Sequence, residues 1–374
     1  MKGRIEVPCN GKGDKIRTGI AHLPLHSGKA PSWLFKRMRG LAKEVVLFIV
    51  DVYGPEEMLL RLSDPFWFQA FGCALGFDWH SSGLTTTVCG ALKEAIKGME
   101  KELGFYIAGG KGKTSRKTPQ EIKEVCDERS IDGISLTYAS RMSAKVDSAA
   151  VQDGYQIYHH SFFFTEKGSW AVIQQGMNER TRYARRYHWL SEGVKDFVCE
   201  PHWAVCCDQR NGGLNLVALE SEEARNAMTE LSYETPEWLM KEGRKIAELY
   251  LQAEHPIPGE KIRMERLEKT FIQIYDHAPK NFEQLLGIQG VGPKTLRALS
   301  LISELIYGVQ SSLKDPTRFS FAHGGKDGHP YPVDREVYDR TIEILGRAIE
   351  RARVGDREKM DAIKRLTAFS KGAC

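Results

Sequence analysis

The hydrophobic period of this chain changes twice, and that pattern restricts the fold more than any single motif. Over residues 31–53 the apolar positions Leu34, Met38, Leu41, Val45, Phe48 and Val52 recur at helical spacing, and Gly54-Pro55 ends the run. A second helical stretch over 55–75 must end or bend at Asp64-Pro65, because proline lacks the amide hydrogen that a helix interior uses. A third covers 83–103. Residues 155–164 and 170–175 are instead rich in aromatic and β-branched side chains, and residues 165–169 between them suit a hairpin turn. Residues 105–108 fit a further strand. Helical spacing returns at 221–253 and continues to 369. The expectation is an α+β fold, mostly helical, with a small antiparallel sheet in the middle. Its parts are a helical region 1–104, an α+β region 105–220 and a helical domain 221–374, with a linker at 253–259.

At 374 residues the chain is long enough for two or three cores. An apolar content of 41% and a charged content of 27% are those of an ordinary globular protein, and no apolar run approaches the length of a membrane helix. The opening Met1-Lys2-Gly3-Arg4-Ile5-Glu6 leads into no apolar stretch, which points to a cytoplasmic protein without a membrane partner. A net charge of +4 says little about partners, so the local placement of cations has to be read instead. Eight cysteines form no C-x-x-C pair, so neither a zinc ribbon nor an iron–sulfur cluster is indicated, and no cofactor is expected. The oligomeric state is left open.

The most specific motif is Leu285-Leu286-Gly287-Ile288-Gln289-Gly290-Val291-Gly292-Pro293-Lys294-Thr295, followed by Leu296, Leu299, Ile302 and Ile306 at helical spacing. It reads as a helix, a tight glycine turn and a second helix, the arrangement called helix-hairpin-helix. Gly290 and Gly292 can adopt backbone angles closed to other residues, which turns the N–H groups of the turn and of the second helix's first turn outward. Those donors, together with the positive end of the helix dipole, bind a phosphate oxygen without reading a base. Gly290, Val291, Gly292, Lys294 and Thr295 are therefore candidate nucleic-acid contacts, with DNA as the simplest partner.

Other segments offer chemistry at lower specificity. Residues 178–190 read as a helix with Arg182, Arg185, Arg186 and Trp189 on one face, and Tyr183, Tyr187 and Leu190 on another. Such a face could track phosphates, or its arginines could pair with carboxylates elsewhere in the fold. Residues 108–117 form a glycine-rich basic loop with Lys111 and Lys113; it lacks the first glycine of a nucleotide P-loop but could wrap a phosphate. Residues 78–87 place His80 among hydroxyls before a helix, where Ser and Thr are ordinary caps and a His-activated nucleophile is the sharper alternative. Asp147, Asp153, His159 and His160 bracket the start of the central hairpin, with Gln174 and Gln175 across it. Carboxylates and a histidine there could hold a divalent metal such as Mg²⁺ for phosphodiester hydrolysis. Since His159 and His160 point to opposite faces of a strand, only one could join.

The glycine turn, together with the later Pro332-Val333-Asp334, resembles the helix-hairpin-helix DNA glycosylase superfamily, in particular members similar to endonuclease III. The resemblance covers at most residues 260–350 and implies a DNA-repair activity: base removal followed by incision at the abasic site. It would make Lys294 the amine that attacks the sugar and Asp334 the carboxylate that stabilises developing positive charge. The separation of Lys294 from Asp334 is about twice that typical of the superfamily, which requires a polar insertion between roughly 309 and 331. The rest of the chain resembles a prokaryotic, largely archaeal family known as domain of unknown function seven-six-three. The segments that carry this likeness are Asp64-Pro65-Phe66-Trp67-Phe68-Gln69, Gly76-Phe77-Asp78-Trp79-His80-Ser81-Ser82-Gly83 and residues 144–154. That likeness implies no activity. Three functions follow as expectations: a glycosylase or abasic-site lyase, a metal-dependent nuclease, and a non-catalytic nucleic-acid-binding module.

Overall fold

A computed structural model describes residues 30–77, 81–206, 212–250, 264–317 and 335–370. The first third is helical: α1 (Ser32–Tyr53), α2 (Pro55–Ser63), α3 (Pro65–Ala74), α4 (Gly83–Ile96) and α5 (Glu100–Leu103). Gly54 separates α1 from α2 with φ +90°, a conformation open to glycine. Asp64 does the same work between α2 and α3 by capping: its carboxylate accepts from Phe66 N at 2.8 Å and Trp67 N at 3.1 Å, and Pro65 fills the first helical position.

The middle holds β1 (Phe105–Lys111), α6 (Thr118–Arg129), α7 (Gly133–Lys145), β2 (Val151–Gln152), β3 (Gln156–Thr165), β4 (Trp170–Asn178), β5 (Tyr183–Leu190), β6 (Ala204–Cys206) and β7 (Leu214–Asn215). Five strands form one antiparallel sheet in the order β1-β3-β4-β5-β6, while β2 pairs with β7. The chain continues through α8 (Glu222–Glu230), α9 (Pro236–Tyr250), α10 (Glu268–His277), α11 (Phe282–Gly287), α12 (Pro293–Tyr307), α13 (Arg335–Arg351) and α14 (Asp356–Ser370). This is the α+β arrangement expected from the change of period.

Phe162, Phe163 and Phe164 are consecutive and all fully buried, so the sheet is covered on both faces. One core takes Phe105, Phe163, Ala171, Ile173, Ala184 and Leu190 from the sheet and packs them against α1–α4, joined by Leu345, Ala348 and Ile349 of α13. The other takes Tyr106, Ala108, Phe162, Phe164, Val172 and Trp189 and packs them against α7 and the helices from α8 to α12. Each core therefore draws on more than one of the three expected regions, with α13 returning to the first third.

The expected helix over 178–190 is not formed. An Asn178-centred turn leads into β5, whose alternation sends Tyr183, Arg185, Tyr187 and Trp189 to one face and Ala184, Arg186, His188 and Leu190 to the other. Arg185 and Arg186 are 0% exposed, so they are interior residues on opposite faces rather than a shared surface, whereas Arg182 stays exposed in the turn with φ +60°.

Candidate nucleic-acid interface

The glycine turn has the expected helix, turn and helix. Asn281 caps α11, its side-chain oxygen accepting from Gln284 N at 2.9 Å, and Leu285 and Leu286 are buried. Gly290 has φ +89°, and the turn closes with Val291 N donating to Ile288 O at 3.3 Å. Helix α12 starts at Pro293 behind Gly292, a residue with no side chain to cap the first-turn amides. Gln289, Gly290, Pro293 and Lys294 are exposed. Val291 and Thr295 turn their side chains into the core, at 1% and 2% exposure, so only their backbone can face a ligand.

Two side chains hold carbonyls of this turn. Lys145 Nζ donates to Ile288 O at 3.3 Å, and Gln152 Nε2 donates to Pro293 O at 2.9 Å. In a trans peptide the carbonyl and the following N–H point in opposite directions. The bonds to those two carbonyls thus turn the amides of Gln289 and Lys294 away from Lys145 and Gln152. Arg297 Nε and Nη2 in turn donate to Gln152 Oε1 at 3.0 and 2.8 Å, fixing the carboxamide. Burial lowers the pKa of Lys145. Neither Lys145 nor Gln152 stood out in the sequence as a candidate, although both lie in the 144–154 segment.

That segment also carries the buried charges. After α7 the backbone widens into a π-helical turn, Val146–Ala150, a local distortion often associated with function. It directs Asp147 into the core, where the carboxylate accepts from Gln174 Nε2, Trp189 Nε1 and His202 Nε2. Desolvation raises the pKa of Asp147, and the His202 pairing opposes that shift. Asp153 accepts from Arg185 Nη1 at 2.6 Å, Tyr187 Oη at 2.7 Å and Tyr155 N at 3.1 Å. Arg185 also reaches Asp315 at 2.7 Å and lies 4.5 Å from the centre of the Tyr155 ring. His202 and Asp315 are likewise residues that the sequence did not single out.

Residues 19–333 match the family described as Protein of unknown function (DUF763). The chain belongs to that family. No curated protein and no solved structure matches it. The DUF763 match takes in the sheet, the 144–154 segment and the glycine turn.

Elsewhere in this DUF763 protein the expected sites separate. His159 faces the opposite side of the sheet from Asp147 and Asp153, its ring bonded to Ser161 at 3.1 Å, so the three do not converge. Among the described residues no group of three or more His, Cys, Asp or Glu side chains is placed to hold a metal ion. The Asp147 and Asp153 carboxylates already face hydrogen-bond donors, a poor fit to a divalent cation. Burial lowers the pKa of His159 to about 3 and that of His160 to about 4. Lys111 and Lys113 are exposed where β1 runs into a short 3₁₀ turn, Gly112–Lys117. His80 and Asp334 lie outside the described residues.

Proposed function

We propose that this protein binds DNA through the exposed glycine turn and acts in DNA repair or processing. One observation carries the reading: Lys145 and Gln152 hold the Ile288 and Pro293 carbonyls, turning the following amides away from themselves beside an exposed Lys294 at a helix N-terminus with no side-chain cap from Gly292. Such a site grips a phosphate and reads no base. The test is fluorescence anisotropy of labelled duplex and single-stranded oligonucleotides across a salt series. Affinity should fall steeply with salt, and Lys294→Ala should flatten the slope of log K against log[salt] by about one. Absence of salt-dependent binding, or an unchanged slope in Lys294→Ala, would remove the reading.

A second, enzymatic reading is base removal with incision at the abasic site. It is favoured by Lys145, a half-buried amine whose pKa is lowered and which lies 3.3 Å from the turn's Ile288 carbonyl. Lys294, being exposed, suits phosphate contact better. Borohydride added to a mixture of protein and abasic duplex should trap a covalent adduct. Loss of the adduct in Lys294→Ala or in Lys145→Ala identifies the amine, and no adduct with any lesion leaves binding alone. Metal-dependent cleavage gains no support from the separated Asp147, Asp153 and His159.

A further inference from the structure

One end of the sheet is lined with cations. Strands β1 and β4 both run antiparallel to β3, so their C-terminal ends, Lys111 and Asn178, lie at the same end of the sheet. The end of β1 presents Lys111, the loop after it Lys113, Arg116 and Lys117, and the turn after β4 Arg180 and Arg182; all six are exposed. Glu179 is the one carboxylate in these two loops. Among the described residues none of the six cations is held in an ion pair with a carboxylate.

Both loops are held in place by other groups. Gly109 N donates to Glu121 Oε2 at 2.8 Å, Gly109 O accepts from Lys93 Nζ at 2.9 Å, and Thr118 Oγ1 donates to Ser115 O at 2.7 Å. Gly109 has φ +87°, and a Cβ there would fall 2.3 Å from His160 O, so the last residues of β1 approach the loop by a route only glycine permits. The Asn178 side chain accepts from Arg180 N at 3.0 Å and Thr181 N at 3.1 Å, fixing the second loop. Neighbouring strands lie about 4.8 Å apart, so from β1 to the β4–β5 turn the cations span roughly 10–15 Å. That is enough for on the order of three phosphates.

The same end is joined to the glycine turn. Gln152 holds the Pro293 carbonyl, and two residues later Gly154 packs on the Asn178 carboxamide, where a Cβ would come within 3.1 Å of Nδ2. We propose that the strand-end loops form a second phosphate-binding face, and that this face and the glycine turn together hold one nucleic-acid strand across the end of the sheet. The inference rests on the DNA-binding reading and adds its track. A chain of phosphodiesters is the occupant that matches six exposed cations on two fixed loops leading to a phosphate-type helix N-terminus.

The full chain carrying Lys113→Ala, Arg116→Ala and Lys117→Ala should keep its fold by circular dichroism, since all three side chains are exposed. Against single-stranded oligonucleotides its salt slope should be flatter by about two, at about 0.7 per phosphate contact. Arg180→Ala with Arg182→Ala should flatten it further. The shortest oligonucleotide bound at full affinity should also become shorter in the triple variant. Should the triple variant keep the original slope and minimum length while Lys294→Ala loses slope, the second face is refuted and binding by the turn stands. A native chain with no salt-dependent binding refutes both together. Weaker binding of the triple variant to a dodecamer, with its affinity for a tetramer unchanged, supports the track.

Discussion

The two faces of the sheet start from the same sequence device and end in different chemistry. Three neighbouring strands each carry a doublet: His159-His160 in β3, Gln174-Gln175 in β4 and Arg185-Arg186 in β5. The register aligns His159, Gln175 and Arg186 in one row, and His160, Gln174 and Tyr187 in the row on the other face, with Arg185 opposite Gly176. On the face toward α7 the polar groups meet Asp147, Asp153 and Asp315, and the segment that supplies the first two also holds the glycine turn. On the face toward α1–α4, Arg186 donates to Gln69 Oε1 at 3.0 Å and stacks 4.8 Å over Phe68, while Gln175 bonds to Ser82 O at 2.9 Å and to Tyr158 Oη. One face is organised by buried carboxylates that lead to the candidate interface. On the other, the described contacts are largely with neutral groups of the helical first third.

The sharpest way to break that contrast is to remove one group from each face. Asp153→Ala removes an acceptor carboxylate from a fully buried guanidinium and takes away the acceptor of the Tyr187 hydroxyl. Breaking a buried pair in this way costs about 3–5 kcal/mol. Gln175→Leu removes neutral hydrogen bonds of the opposite face and should cost about 1–2 kcal/mol. Urea unfolding of the two variants checks the difference, and equal losses would mean that the two faces are energetically alike.

Acid should act on both faces. The folded pKa values of His159 and His160, about 3 and about 4, are depressed by burial below the 6.5 of an ordinary imidazole, so below pH 6.5 the unfolded chain binds protons that the folded one does not. Their stabilisation is therefore complete above about pH 6.5 and is lost as pH falls toward the folded values. Once well below 6.5, each histidine should contribute a slope of about 1.4 kcal/mol per pH unit. Asp147 runs the other way, because its raised folded pKa favours the folded state at low pH. Comparing native protein with His159→Gln and His160→Gln by urea unfolding between pH 4.5 and 7 cancels that term. Each variant should lose a similar part of the slope, since one histidine lies on each face.

What the sequence displayed depended on how local the cause was. Gly54-Pro55 and Asp64-Pro65 act on their own neighbours, and the helix ends at those positions match the expectation. The glycine turn is equally local, so its helices and the φ of Gly290 follow from a few adjacent residues. Strand β5 differs from the expected helix because arginine is seldom interior, and four arginines in residues 180–186 have the pattern of a charged helical face. The alternation of Tyr183, Arg185, Tyr187 and Trp189 was present. What admits Arg185 to the interior is Asp153 and Asp315, remote in sequence and brought close only by the fold. The anchors of the glycine turn were hidden for the same reason, since Lys145 and Gln152 act on carbonyls more than a hundred residues away.

The smallest expected effect bears most directly on function. Gln152→Ala frees the Pro293 carbonyl and the Arg297 guanidinium from a half-buried carboxamide, which should cost about 0.5–1.5 kcal/mol of stability. If the α7 face holds the glycine turn in its binding shape, the same change should weaken oligonucleotide binding by several-fold, with Lys294 still in place. Gln175→Leu, at comparable or greater cost in stability, should leave that affinity unchanged, because its partners Ser82 and Tyr158 lie on the other face. Paired urea and anisotropy measurements on these two variants separate positioning from stability. Equal affinity losses would show that binding follows stability of the sheet as a whole, and the link from the buried carboxylates to the turn would then be one of packing alone.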